Sequence, residues 1–418
     1  MRLNDFLRYC GWATVLAAAA EVFIHICITP LLADDMYYGV FAPSKGGLRH
    51  AVAGVWWHTN ARSGDLTNYI WIYMLPRIVT AALCAGMMIL LFLSLACLGG
   101  ASPRRRPALW CVSVAAASLL LPWWDAFPLI VVHLNYVWAI ALAGLSLWLV
   151  TSREMKSNLW ILFAPVALIS GFGHEITGMP LCSGIVAWLS WGRHGKLSRA
   201  KWIVIAALIV GSFISVSSPG CYSRLNNPLP SVTTDRSIIE IVVISGFMGL
   251  AVMADALVML LFRRRLLVRL CRTLWLPLAV VSVSSMAFII VSHTMGRTGW
   301  ATQFFGFAAL LYRLSASAAS LGKWRWSASL PALILAAQWL FACYWQVKVD
   351  REAAANLELF FANPGQEISG HFTRCEDIPV VLMRKVEPDQ LAYPWPRQVV
   401  EMTYGAPPKI PAYALIEE

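Results

Sequence analysis

The chain alternates long apolar runs with short polar gaps, and the runs are helix-length rather than strand-length. Stretches of about 16–25 residues suffice to cross a hydrocarbon core ~30 Å thick. They fall near 11–33, 70–98, 108–122, 134–151, 158–173, 177–192, 202–217, 238–262, 274–292, 300–318 and 327–345. The pattern predicts an all-α polytopic membrane protein with about eleven transmembrane helices. The third run is short, and 123–133 is expected to re-enter the membrane. A very tight turn joins the fifth and sixth runs. Gly11–Leu32 is too long for a signal-peptide core and is followed by no clean small-x-small site, so it reads as a retained first helix.

Composition agrees with lipid as the main solvent. Of 418 residues, 59% are hydrophobic and 13% charged, about half the charged share of an ordinary soluble domain. The net charge of +11 would suggest nucleic acid in a soluble chain. Here the basic residues recur between apolar runs, which excludes nucleic acid as the partner and points to topology. The gaps 1–10, 99–107, 152–157, 193–201, 263–273 and 319–326 hold Arg104, Arg105, Arg106, Arg263, Arg264 and Arg265 among many others, against only two acids, Asp5 and Glu154. This is a positive-inside pattern. It predicts an inner (plasma) membrane protein with a cytoplasmic amino terminus. The active site and the carboxyl-terminal tail are expected on the extracytoplasmic side.

Two domains follow, a transmembrane domain over 1–345 and a small extracytoplasmic segment over 346–418. In the tail, 349–361 reads as an extension of the last span and Ile378–Val386 as a strand. Proline recurs from Pro364 to Pro411. At roughly 70 residues the segment is marginal as an independent fold and is expected to lean on the outer loops.

The outer loops carry the candidate chemistry. Asp34-Asp35 stands where the first span ends. Repulsion between adjacent carboxylates makes one of them a better proton acceptor, suited to general-base work near neutral pH; the bland alternative is a solvated loop start. The same loop runs through Trp56-Trp57-His58-Thr59-Asn60-Ala61-Arg62. Asn60 and Arg62 suit a phosphate or a sugar hydroxyl, while an Arg62–Asp65 surface pair is the plainer reading. Trp57 would offer a platform for a sugar ring. Trp71, Trp123, Trp124, Trp138 and Trp300 read first as an interfacial aromatic belt.

His174-Glu175 lies between two apolar runs, where ionisable residues are costly and point to function; Glu175 also suits a helix start. His133, Asn135 and Tyr136 form a weaker polar cluster. Ser218-Pro219-Gly220-Cys221-Tyr222-Ser223-Arg224 follows the seventh span. Its turn amides, Tyr222 and Arg224 suit an anionic substrate. Arg297 follows the ninth span and, like Arg224, breaks the positive-inside trend, which favours phosphate binding over simple anchoring. The ten cysteines contain no CxxC pair, and no zinc-type ligand spacing appears. Cys221 and Cys375 both fall on the outer side, where a disulfide would persist; their pairing is open.

In combination and order these marks resemble the GT-C superfamily of polyprenyl-phosphate-dependent glycosyltransferases. More closely, they resemble bacterial membrane proteins related to the glucosyltransferases that decorate surface polysaccharides. The marks are Asp34-Asp35, Trp57-x-x-Asn60-x-Arg62, Gly173-His174-Glu175, and Ser218-Pro219-Gly220 with Arg224, within residues 1–345. The family's Asn-Gly-Arg is Asn60-Ala61-Arg62 here, and its Pro-Gly-Asn is Pro219-Gly220-Cys221. The resemblance implies a GT-C-like fold, a polyprenyl-phosphate sugar donor, a glycan or lipid-linked acceptor, and an inverting transfer. Asp34 would be the base and Asp35 its partner. Glu175 would orient the acceptor or a divalent cation (Mg or Mn), and Arg224 and Arg297 would hold the phosphate. A polysaccharide polymerase or ligase would use similar arginines. A transporter or flippase would need polar residues at mid-bilayer depth and paired halves; Asp255 in the eighth span is the one that stands out, it reads as a structural hydrogen bond, and no internal repeat appears. A non-catalytic scaffold would not need Asp34-Asp35.

Overall fold

The computed structural model describes residues 3–31, 35, 70, 74–123, 130–152, 160–192, 196–219, 237–292, 296–317 and 327–362. Among them there is helix and no strand. Each apolar interval predicted above holds a helix. The tail beyond Ala362, with Ile378–Val386 and Cys375, lies outside the described residues, as does Cys221.

Helix α1 covers Leu3–Ile28, 26 residues or about 39 Å of helix. Pro76, which needs no intrahelical donor, precedes α2, Arg77–Leu98. Gly99-Gly100 stops it, with Gly100 at φ +70°, a left-handed turn that glycine enters without strain. Helix α3 covers Pro107–Leu120 and starts on proline. Helix α4 covers Ile130–Thr151 and widens into a π-helical stretch at His133–Trp138; such bulges recur at functional sites.

Helices α5, Trp160–Gly173, and α6, Glu175–Trp191, are separated by His174 alone, which is the tight turn read from the sequence. Helix α7 covers Arg199–Ser217, capped by Ser198. Helix α8 covers Ile238–Phe262 behind a capping box of Ser237 and Glu240. The short α9, Arg264–Leu270, meets α10, Trp275–Val291, at a 90° bend. A turn at Gly296–Gly299 leads into α11, Trp300–Ser317. The last helix, α12, covers Ser329–Ala362, so the predicted extension over 349–361 is helical.

Among the described residues six helices are long and apolar enough to cross a membrane: α1, α2, α4, α7, α8 and the Ser329–Glu352 part of α12. The bent α9–α10 pair makes up to seven. Helix α3 and the Ile161–Gly173 part of α5 are apolar but shorter. The chain is therefore a multi-pass, all-helical protein among its described residues.

Helix α1 packs on α12, α2 and α3, while α4 lies against α2, α5 and α6. Helix α10 joins α6 to α11, and α11 reaches back to α2, α3 and α4. Large rings fill the centre. Trp123 stacks on Phe92 at 5.7 Å and meets Trp300 and Trp339 edge-on at 4.9 and 5.2 Å. This corrects the expected belt: Trp123, Trp138 and Trp300 are buried in the core, because their ring area is worth more packed against other rings than at an interface. Apolar side chains such as Phe262, Val291 and Ile239 instead face outward, as lipid-facing positions do.

Candidate functional site

One end of the bundle gathers the polar groups. The carboxyl end of α1, the starts of α2 and α4, the α5–α6 junction and the later turns of α12 all meet there. Its centre is the start of α4. The first amides of a helix have no intrahelical acceptor. Here Asp35 supplies one: its Oδ2 accepts from the Ile130 N–H at 2.9 Å and its Oδ1 from the Val131 N–H at 2.8 Å. The carboxylate is fully buried and also gains from the positive end of the helix dipole. The residue expected to partner the base thus clamps the α1 exit onto α4.

Arg77 fixes the same exit from the other side. Its Nε donates to the Ile26 carbonyl and a terminal guanidinium nitrogen donates to the Thr29 carbonyl, two acceptors that the end of α1 leaves unpaired. The guanidinium also lies in the fields of Asp35 and Asp350.

Six residues after Ile130, Tyr136 packs its ring 4.9 Å from that of His174. His174 caps α6: its Nδ1 accepts from the Ile176 N–H at 3.3 Å, and its carbonyl accepts from Gly178 at 2.8 Å. A nitrogen that accepts carries no proton, so His174 is assigned here as the Nε2–H tautomer. The 3.5 Å approach of Glu175 Oε2 to Nδ1 is then a contact rather than an ion pair. Glu175 is mostly buried in the first turn of α6, where the dipole favours its charge. Asp35 and His174 therefore meet the first two turns of α4, roughly 9 Å apart along its axis.

Beneath this layer sits a polar group inside the apolar bundle. His25 Nδ1 lies 3.1 Å from Asp350 Oδ2, and Gln346 Nε2 donates to Asp350 Oδ1 at 2.9 Å. The His133 ring is 5.9 Å from that of His25. Glu21, one turn before His25, is 0% exposed, and neither of its oxygens has a hydrogen-bond partner among the described residues. Sequence reasoning missed Glu21, His25, Arg77, Gln346 and Asp350. The available signal was an acid and a histidine at i and i+4 within one apolar run.

Asp34, Trp57, Asn60, Arg62, Tyr222 and Arg224 lie outside the described residues. Arg297 lies in the Gly296–Gly299 turn. That turn sits tightly on α8, since a Cβ on Gly299 would come within 2.6 Å of the Ser245 carbonyl oxygen. Asp255 pairs with Arg313 of α11, as its reading as a structural hydrogen bond implied. Among the described residues no group of three or more His, Cys, Asp or Glu side chains is arranged to hold a metal ion.

The fold and this end of it define a class: a helical multi-pass membrane protein with buried ionisable groups around one helix start. No protein-family model matches the chain, and neither a curated protein nor a solved structure matches it.

Proposed function

We propose that the protein is an inverting membrane glycosyltransferase of the GT-C kind. It would move a sugar from a polyprenyl-phosphate carrier to a cell-surface glycan or lipid-linked acceptor. In this reading all the apolar helices cross the inner membrane, about eleven in number, and the Asp35 end of the bundle faces away from the cytoplasm. The observation that carries the proposal is the Asp35 clamp on Ile130 and Val131. A general base must be held within hydrogen-bond reach of its proton, and the clamp restrains the residue immediately after Asp34.

The Asp34 carboxylate takes the proton of the acceptor hydroxyl. The hydroxyl oxygen attacks the anomeric carbon from the face opposite the phosphate. The carbon–oxygen bond to phosphate breaks, and the lipid phosphate leaves with the electron pair. Charge grows on the phosphate, where Arg62, Arg224 and Arg297 would stabilise it. Trp57, Asn60 and Tyr222 would seat the sugar, His174 and Glu175 would orient the acceptor, and the part of the 346–418 segment beyond Ala362 would cap the site.

The test is transfer of radiolabelled sugar from polyprenyl-phosphate sugar by purified protein in nanodiscs. Wild type is expected to transfer, and Asp34→Asn to lose at least a hundredfold, the order typical of a general base. Equal rates would remove Asp34 as the base; no transfer with any lipid-phosphate sugar would remove the reaction. The buried Glu21, His25 and Asp350 favour a second reading, proton-linked transport of a lipid-linked glycan. It predicts glycan movement across sealed vesicles driven by a pH gradient, without formation of a new glycosidic bond.

A further inference from the structure

Two features of the buried cluster belong to neither loop chemistry nor ordinary packing. Glu21 has two unpartnered oxygens among the described residues, and His25 Nε2 is likewise unpartnered, although both residues are fully buried. An isolated carboxylate in such surroundings carries a desolvation cost far beyond what a domain's stability can absorb. The neutral acid does not. His25 has its Nδ1 on Asp350, which fixes the Nδ1–H tautomer and leaves Nε2 as a bare acceptor.

The groups that share this space come from every helix packed on this end of α1. Helix α12 brings Asp350 and Cys343, both within the field of Glu21. Helix α4 brings His133. Helix α2 brings Arg77, in the field of Asp350, together with Cys84. The one titratable side chain of α3, Cys111, bonds the Leu7 carbonyl near the start of α1 and so lies outside this space.

We propose that Glu21, His25 and Asp350 form a proton-binding site in the interior of the bundle. Glu21 holds one proton as the neutral acid, and His25 is the acceptor with which it exchanges. In that exchange the Glu21 O–H bond breaks and an Nε2–H bond forms on His25. The imidazolium so formed is balanced by the Asp350 carboxylate, Glu21 is left as carboxylate, and the net charge of the cluster does not change. Residues at i and i+4 of one helix lie on the same face, one turn apart. The proton stays on α1, and the Asp350 carboxylate of α12 faces the charge it creates on His25, so both helices feel the same proton.

The experiment is infrared spectroscopy of the full-length protein in lipid nanodiscs, in water and in deuterium oxide. Wild type is expected to show a protonated-carboxyl C=O band that shifts down in deuterium oxide and is titrated away by one proton as pH rises. Glu21→Gln, which is isosteric with the neutral acid, is expected to lose the band, and Asp350→Asn to keep it. Wild-type protein with 13C-carboxyl glutamate should show the band moved, and protein with 13C-carboxyl aspartate should show it in place, which assigns the band without relying on any variant to fold. Absence of the band in wild type overturns the proposal. So does a band that moves with aspartate labelling or survives Glu21→Gln. The result is independent of sugar transfer, so failure here leaves the glycosyltransferase reading standing, and the reverse also holds.

Discussion

His25 of α1 and Asp350 of α12 are 325 positions apart in the chain, yet their Nδ1 and Oδ2 atoms lie 3.1 Å apart with both side chains buried. Removing one partner of such a pair strands the other, so the single losses overlap. His25→Ala and Asp350→Ala are each expected to destabilise the protein, and the double variant by less than their sum. The difference should be about 0.5–3 kcal/mol, the range for residues in one polar network. Reversible unfolding in dodecyl sulfate measures all four species of the cycle; strict additivity would show that the contact contributes nothing.

The Asp35 clamp makes a separate prediction. Asp35→Ala leaves the Ile130 and Val131 amides without their acceptor and should cost about 1–2 kcal/mol, as loss of a helix cap does. Asp35→Asn keeps one oxygen and should cost less. Hydrogen exchange reads the effect locally: the Ile130 and Val131 amides should exchange faster in Asp35→Ala, while those of α7 should not change. Uniform acceleration along the chain would mean that Asp35 serves the whole bundle rather than the start of α4.

How much of this was legible beforehand depends on the period and on the partner. Helix positions followed from apolar runs, because a helix satisfies its own backbone and needs no distant information. The His174 break between α5 and α6 was visible as Gly-Phe-Gly-His-Glu. The burial of Trp123 and Trp300 was not, since a tryptophan near a span boundary looks the same whether it faces lipid headgroups or a neighbouring ring. Asp35 stands out in the sequence for its charge, but its partners are the backbone amides of Ile130 and Val131, which carry no sequence signature. Glu21 and His25 are masked by the apolar run around them, although a charged side chain there is the costlier placement and the stronger signal. Asp350, the partner of His25, lies in the stretch assigned by composition to the tail.

The Asp255–Arg313 pair links α8 to α11. Both side chains are largely sheltered, so an unpaired Asp255 would have little water to turn to. Arg313→Met alone is expected to cost about 1–3 kcal/mol, the penalty for a buried polar group left unsatisfied. Combining it with Asp255→Leu should recover most of that loss, since apolar replacement of both members removes the desolvation problem. Thermal unfolding in one detergent decides it; a double variant less stable than Arg313→Met would mean the Asp255 carboxylate has other stabilising partners.

Glycines at the α5–α7 contact hold the site in a less obvious way. A Cβ on Gly171 would lie 2.3 Å from the Leu208 carbonyl oxygen and 2.7 Å from the Ser212 nitrogen, and one on Gly211 would lie 2.2 Å from the Leu168 carbonyl oxygen. These atoms are backbone and cannot step aside, so the two helices approach this closely only because both positions lack a side chain. Gly171 is also three residues before His174, and a Cβ on Gly178 would meet the Gly171 carbonyl at 2.5 Å. Gly171→Ala should therefore push α7 away from the α5–α6 junction and shift His174 and Glu175 with it. The expected cost is about 1–3 kcal/mol, as for overpacking. Gly86→Ala in α2 is the control, because a Cβ there meets nothing within 4 Å. It should be neutral or stabilising by about 0.5–1 kcal/mol from the better helix propensity of alanine. The unfolding midpoint of Gly171→Ala should fall, and that of Gly86→Ala should hold or rise. Equal midpoints would show that the α5–α7 contact tolerates a methyl group and that the close approach does not position the His174 turn.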